Sequence, residues 1–116
     1  MPTTPVSESL FCLGLSEALP ISEEATTSRV VVNNDVLRTV IFTFDAGQLL
    51  TEHASTRAVV VTLLEGEMDF SVGERTERMT AGDVIYLAPG DRHALTAVTP
   101  CRMQLVMVED RTSGQG

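Results

Sequence analysis

Between residues 29 and 108 the apolar positions come in short runs rather than in a helical stripe, and a turn signal interrupts them roughly every eight to twelve residues. Val and Thr, which suit a pleated surface, dominate these runs. They predict strands at 29–32, 36–44, 58–64, 68–72, 76–79, 84–87, 93–97 and 102–108. The breaks between them are turn formers: Asn33-Asn34-Asp35, Asp45-Ala46-Gly47, Glu65-Gly66, Gly73-Glu74, Ala81-Gly82-Asp83 and Pro89-Gly90-Asp91. Period-two alternation in Leu37, Thr39, Ile41 and Thr43, and in Met68, Phe70 and Val72, predicts sheets with one face on a core and the other on solvent. Ala58-Val59-Val60-Val61 is apolar on both faces, which predicts a central or covered strand. The expected fold is all-β, a small antiparallel sandwich or barrel.

Residues 1–28 read differently, being rich in Ser, Thr, Glu and Pro with apolar islands at Leu10, Phe11, Leu13, Leu15, Leu19 and Ile21. The expectation is an N-terminal arm (1–28) that lies on the main fold or on a second subunit, a barrel domain (29–110) and a flexible polar tail (111–116). A chain of 116 residues with 43% hydrophobic content can bury a core of its own as one domain. Sixteen acidic residues face eight basic ones, all Arg, for a net charge of -8. That balance argues against a nucleic-acid-binding face, which needs clustered cations. Arg38 and Arg92 could bind a substrate carboxylate, but the preferred reading is that they are paired or solvated surface groups. Cys12 and Cys101 match no zinc or Cys-x-x-Cys spacing, and the N-terminal segment lacks a basic region and a long apolar run. A cytoplasmic protein without a membrane segment is expected.

Two stretches carry candidate chemistry. One runs from Gly47 through His53, Ser55 and Val59 to Gly66; the other runs from Gly82 through Pro89 and Gly90 to His93. In spacing they resemble the two signature motifs of the cupin superfamily, in which the first motif runs Gly, five residues, His-x-His, then Glu and Gly, and the second runs Gly, five residues, Pro-x-Gly, then His and Asn. Gly47, His53, Gly66, Gly82, Gly90 and His93 fall on those patterns, and the resemblance spans about residues 36 to 108. It implies a double-stranded β-helix, also called a jelly roll or cupin barrel, and a homodimer. It also implies a divalent transition metal (Zn, Fe, Ni, Mn or Cu) near His53 and His93, although Ser55 and Val59 stand where the family has its second His and its Glu. Ala88 and Ala97 replace the family's Pro and Asn.

Two imidazoles alone make a weak, open metal site, and neither Ser55 nor Val59 offers a good donor. Glu52 falls on the opposite strand face from His53 unless a bulge intervenes. The reading preferred on these residues is a barrel that binds a small organic molecule, its pocket formed by His53, Ser55, Val59, Val61, His93, Leu95 and Leu105, with a weak or absent metal. Beside it stand a metal-dependent enzyme of dioxygenase, isomerase or decarboxylase type using His53 and His93, and a non-catalytic regulatory or scaffold dimer. Met68, Met79, Met103, Met107 and Cys101 read as packing residues.

Overall fold

A computed structural model describes residues 4–108. The tail at 111–116 lies outside the described residues. After a short helical turn, α1 (Leu15–Ala18), the chain runs through β1 (Thr26–Asn33), β2 (Leu37–Phe44), β3 (Leu49–Ala54), β4 (Ala58–Glu65) and β5 (Glu67–Val72). It continues through β6 (Arg75–Thr80), β7 (Val84–Leu87), β8 (Arg92–Ala97) and β9 (Cys101–Val108). The strands pair antiparallel in two sheets, ordered β1-β2-β9-β4-β7 and β3-β8-β5-β6. Face to face, these sheets form the double-stranded β-helix.

Side chains close the turns that the sequence marks. The Asn34 Oδ1 accepts from the amides of Val36 at 2.9 Å and Leu37 at 3.1 Å, folding the chain from β1 into β2. Asp83 Oδ2 accepts from the Thr80 amide at 2.8 Å, and does the same before β7. β4 is central, flanked by β9 and β7, as its doubly apolar run requires.

The barrel is filled at one end and open at the other, and the inward residues of single strands record the change. Along β9, Cys101 and Met103 are fully buried, whereas Leu105 and Met107 are only partly so. Along β2, Phe44 is fully buried and Arg38, three turns of the pleat away, is half-buried. The closed end packs Phe44, Leu63, Met68, Met79, Leu87 and Met103 into one cluster, each such side chain contributing about 1.5–3 kcal/mol through burial. Met68, Met79 and Cys101 are packing residues of this kind.

Three sequence expectations need correction. The first concerns β2, where the inward set is Arg38, Val40, Phe42 and Phe44, while Thr39, Ile41 and Thr43 on the other face are buried as well. The arm supplies the cover: Arg102, paired across from Thr43 on that outer face, donates from its guanidinium to the Leu19 carbonyl at 2.8 Å and the Ser16 carbonyl at 3.4 Å. Its Nε meets Glu65 at 3.1 Å, so a buried cation ties the arm to β9 and β4. The second correction is β3, which is absent from the strands predicted above although alternation was used to set Glu52 against His53. Its residues are mostly exposed and polar, so hydrophobic periodicity is weak there, and it becomes a strand through pairing with β8. The third concerns Arg38, which is not a solvated or paired surface group.

Candidate functional site

The β3–β8 pairing makes the site. In its register His53 stands directly opposite His93, which sets the two imidazoles side by side across the ladder. Their ring centroids are 4.1 Å apart, with the ring planes at 63°. On the other side of His93 lies Phe70, from the neighbouring β5, stacked at 6.0 Å and 12°. His93 is therefore held between an aromatic wall and the second imidazole. It is 6% exposed, whereas His53 sits at the open rim.

Each ring has one nitrogen engaged by the backbone. The Nδ1 of His53 lies 2.9 Å from the Thr51 carbonyl, and the Nδ1 of His93 lies 3.3 Å from the Asp91 carbonyl. A carbonyl oxygen only accepts, so in the neutral rings both protons belong on Nδ1 and both Nε2 lone pairs are left available. Burial pushes the His93 imidazole below its ordinary pKa; the Asp91 carbonyl opposes this, and neighbouring His53 adds a smaller downward push. At neutral pH His93 is thus an uncharged acceptor.

The rings border a cavity of about 530 Å³ at the open end of the barrel. Its walls are β1, β2 and β9 through Val30, Val40, Phe42, Leu105 and Met107, with Val59 of β4, and its rim carries Ser28, Ser55 and Thr56. The structure therefore brings His53, Ser55, Val59, His93 and Leu105 together around one space. Val61 and Leu95 are 1% and 4% exposed and belong to the core. Glu52 does lie beside a register shift, between Leu50 and His53, but its carboxylate faces away and pairs with Arg92 at 2.9 Å. The Cys101 thiol donates to the Glu67 and Thr99 carbonyls and takes no part in this cavity.

Arg38 lines the cavity too. Strand parity placed it on the face with Val40 and Phe42, but with Arg38 on one face of β2 and Thr39 and Thr43 on the other, periodicity alone did not say which one looks inward. A second hollow of about 570 Å³ lies between β5, β6 and β7. Its charges are largely matched, Arg75 to Glu77 at 2.9 Å and Arg78 to Asp69 at 2.6 Å, which leaves it little unmet bonding capacity.

A resident divalent ion takes three or more convergent donors from the protein. Among the described residues no group of three His, Cys, Asp or Glu side chains is placed to hold one. The two Nε2 atoms are a partial set, and the side chains present do not by themselves make a closed metal site.

Two opposed antiparallel sheets, a filled end, an open end and paired inward histidines define a small β-barrel of the jelly-roll class. The sequence pattern of the family described as Cupin domain matches residues 40–109, and the chain belongs to that family. Among solved structures, a conserved protein of unknown function from Streptococcus pyogenes is 30% identical, with 95% of this chain and 96% of that one covered and a TM-score of 0.80. A cupin superfamily protein from Desulfitobacterium hafniense is 17% identical over 94% of this chain and 97% of its own, with a TM-score of 0.78. A cupin 2 conserved barrel domain protein from Leptotrichia buccalis is 24% identical over 84% of this chain and 47% of that one, with a TM-score of 0.78. No curated protein matches the chain.

Proposed function

We propose that this barrel binds a small organic molecule in its open end and does so without a tightly held metal. The observation that carries this reading is the pair of imidazoles with both Nε2 atoms available on the edge of an otherwise largely apolar cavity of about 530 Å³. Apolar walls supply affinity, and the two acceptors orient a hydroxyl or amide of the ligand. A thermal-shift screen of small metabolites tests it, alongside elemental analysis of protein purified without a His tag. Compounds that raise the melting temperature, with metal far below one per chain, are the expected result. Silence across a broad library together with stoichiometric bound metal would overturn it.

The adjacency of the two free Nε2 atoms also favours a second reading, a metal-dependent enzyme in which His53 and His93 share an ion with water. Stoichiometric metal would select it. In either case we place the protein in the cytoplasm as a homodimer that meets neither nucleic acid nor membrane. The free thiols Cys12 and Cys101 and the net charge of -8 support the compartment and the lack of nucleic-acid contact. No helix among the described residues is long and apolar enough to cross a membrane. Exposed Phe11 and Leu13 on the arm, and Val84 and Tyr86 on β7, support pairing. Light scattering on the full chain against a variant lacking residues 1–28 checks the arm's part in it.

A further inference from the structure

Arg38 is the anomaly of the cavity. Its Nε is the one buried side-chain nitrogen or oxygen among the described residues that lacks a hydrogen-bond partner. Such a group costs free energy that native proteins rarely leave unrecovered. The chain does not lack acids for the purpose, since Arg75, Arg78, Arg92 and Arg102 each meet a carboxylate. Arg38 instead lies on the inward face of β2 with Val40 and Phe42, and among the described residues it is the sole formally charged one lining the cavity. Among the described residues neither Asp nor Glu borders that space, and burial lowers the His93 pKa, which favours its uncharged form at neutral pH.

We propose that the ligand of this cavity is a small organic carboxylate whose carboxylate is bound by Arg38. The inference rests on the reading that the cavity takes an organic molecule, and it names the class. A guanidinium presents a planar fork of N–H donors that matches a carboxylate in two parallel hydrogen bonds, and desolvated walls strengthen that pair. A single fixed cation balances one negative charge. A phosphate dianion would leave charge uncompensated, since the described residues of the wall offer it no second formal cation. The apolar body of the acid then lies on Val40, Phe42, Leu105 and Met107, and a hydroxyl, where present, donates to the Nε2 of His53 or His93.

The test compares acids with their primary amides, which keep the shape and lose the charge. Benzoate with benzamide, butyrate with butyramide, and inorganic phosphate are titrated into the full-length protein at pH 7.5, with binding followed by NMR shifts of backbone amides in β2, β3 and β8. The expected result is that at least one acid binds tenfold or more tightly than its amide, and more tightly than phosphate. In Arg38→Met, which keeps the aliphatic stem, that preference should vanish, while Arg29→Met should behave as the parent chain. Unliganded Arg38→Met should melt no lower than the parent, because an unpartnered buried donor is removed. A fall of several degrees would mean that Arg38 is a structural group, and would overturn the proposal. Acid and amide binding alike, or phosphate binding tightest, would overturn it while leaving the organic-ligand reading in place. Absence of binding by every probe and by the wider metabolite screen would bring down both.

Discussion

Gly66, in the turn between β4 and β5, offers a quantitative check on the packing of the closed end. Its φ is +88°, and a Cβ built there would stand 2.2 Å from the Pro100 carbonyl oxygen and 2.8 Å from the Cys101 Sγ. For the Pro100 oxygen, ordinary van der Waals contact, at 3.4–4 Å, begins more than 1 Å farther out. The opposing backbone has little freedom to retreat. The amides of Val98 and Thr99 donate to the Glu67 carbonyl at 2.9 and 3.2 Å, and the Glu67 amide donates to Thr99 Oγ1 at 2.9 Å. Gly66→Ala therefore combines a left-handed backbone cost of about 1–2 kcal/mol with an overpacking cost of about 1–3 kcal/mol. Gly90 is a matched control, since its φ is also +88° but nothing lies within 4 Å of the added Cβ. Gly90→Ala should show the backbone cost alone, so the two variants should differ by about 1–3 kcal/mol. At roughly 4 °C per kcal/mol for a domain of this size, that is about 4–12 °C in melting temperature. Urea denaturation of both variants beside the parent chain measures it. Equal losses would refute the steric reasoning and leave only the shared φ to explain them.

Other outcomes follow from the arm and from the buried imidazole. Arg102→Met should loosen the arm, because the Ser16 and Leu19 carbonyls and Glu65 lose their common donor. A Glu-specific protease should then cut faster at exposed Glu17 and Glu23, and stability should fall by about 1–3 kcal/mol; unchanged cleavage would show that the arm is held by other contacts. For His93, the pKa is lowered on folding, so the unfolded chain binds more protons in the window just below the ordinary histidine value. The contribution of His93 is fully present above about pH 6.5 and is lost as the pH falls through that value toward the folded pKa. Urea midpoints taken at pH 7.5 and pH 5.5 should draw together in His93→Gln relative to the parent. An identical pH difference in both proteins would mean that His93 carries none of it. Asp45 and Asp69, whose pKa values are lowered by amide donors and by Arg78, lose their contributions only in more acid solution, below the ordinary carboxylate range.

Most of the strands were legible from the chain, because β-branched runs and turn formers are local signals. The spacing of Gly, His and Pro-Gly was also legible, and it located His53 and His93. The β3 strand was not. Leu49 and Leu50 begin it, but Thr51, Glu52 and His53 are polar and exposed, and only the partner β8 turns that segment into sheet. Arg38 was misread for a related reason. Thr39 and Thr43 lie on the face opposite Arg38 yet are buried, so polarity did not mark a solvent side, and the inward set was decided by which neighbour covered the other face.

What the sequence determined by itself, then, was a β-rich chain with punctuated strands, an arm of different composition, and two histidines at the motif positions of a cupin barrel. These are properties of nearest neighbours and of fixed spacings, and they survive without knowledge of any long-range contact. What only the tertiary structure decided was the partnership of residues far apart in the chain. His53 meets His93 across β3 and β8 beside the cavity that Arg38 also lines, and Arg102 on the outer face reaches back to Ser16 and Leu19. Such pairings depend on sheet register and on which face is covered, and both are set by the packing of the whole barrel rather than by any segment of it.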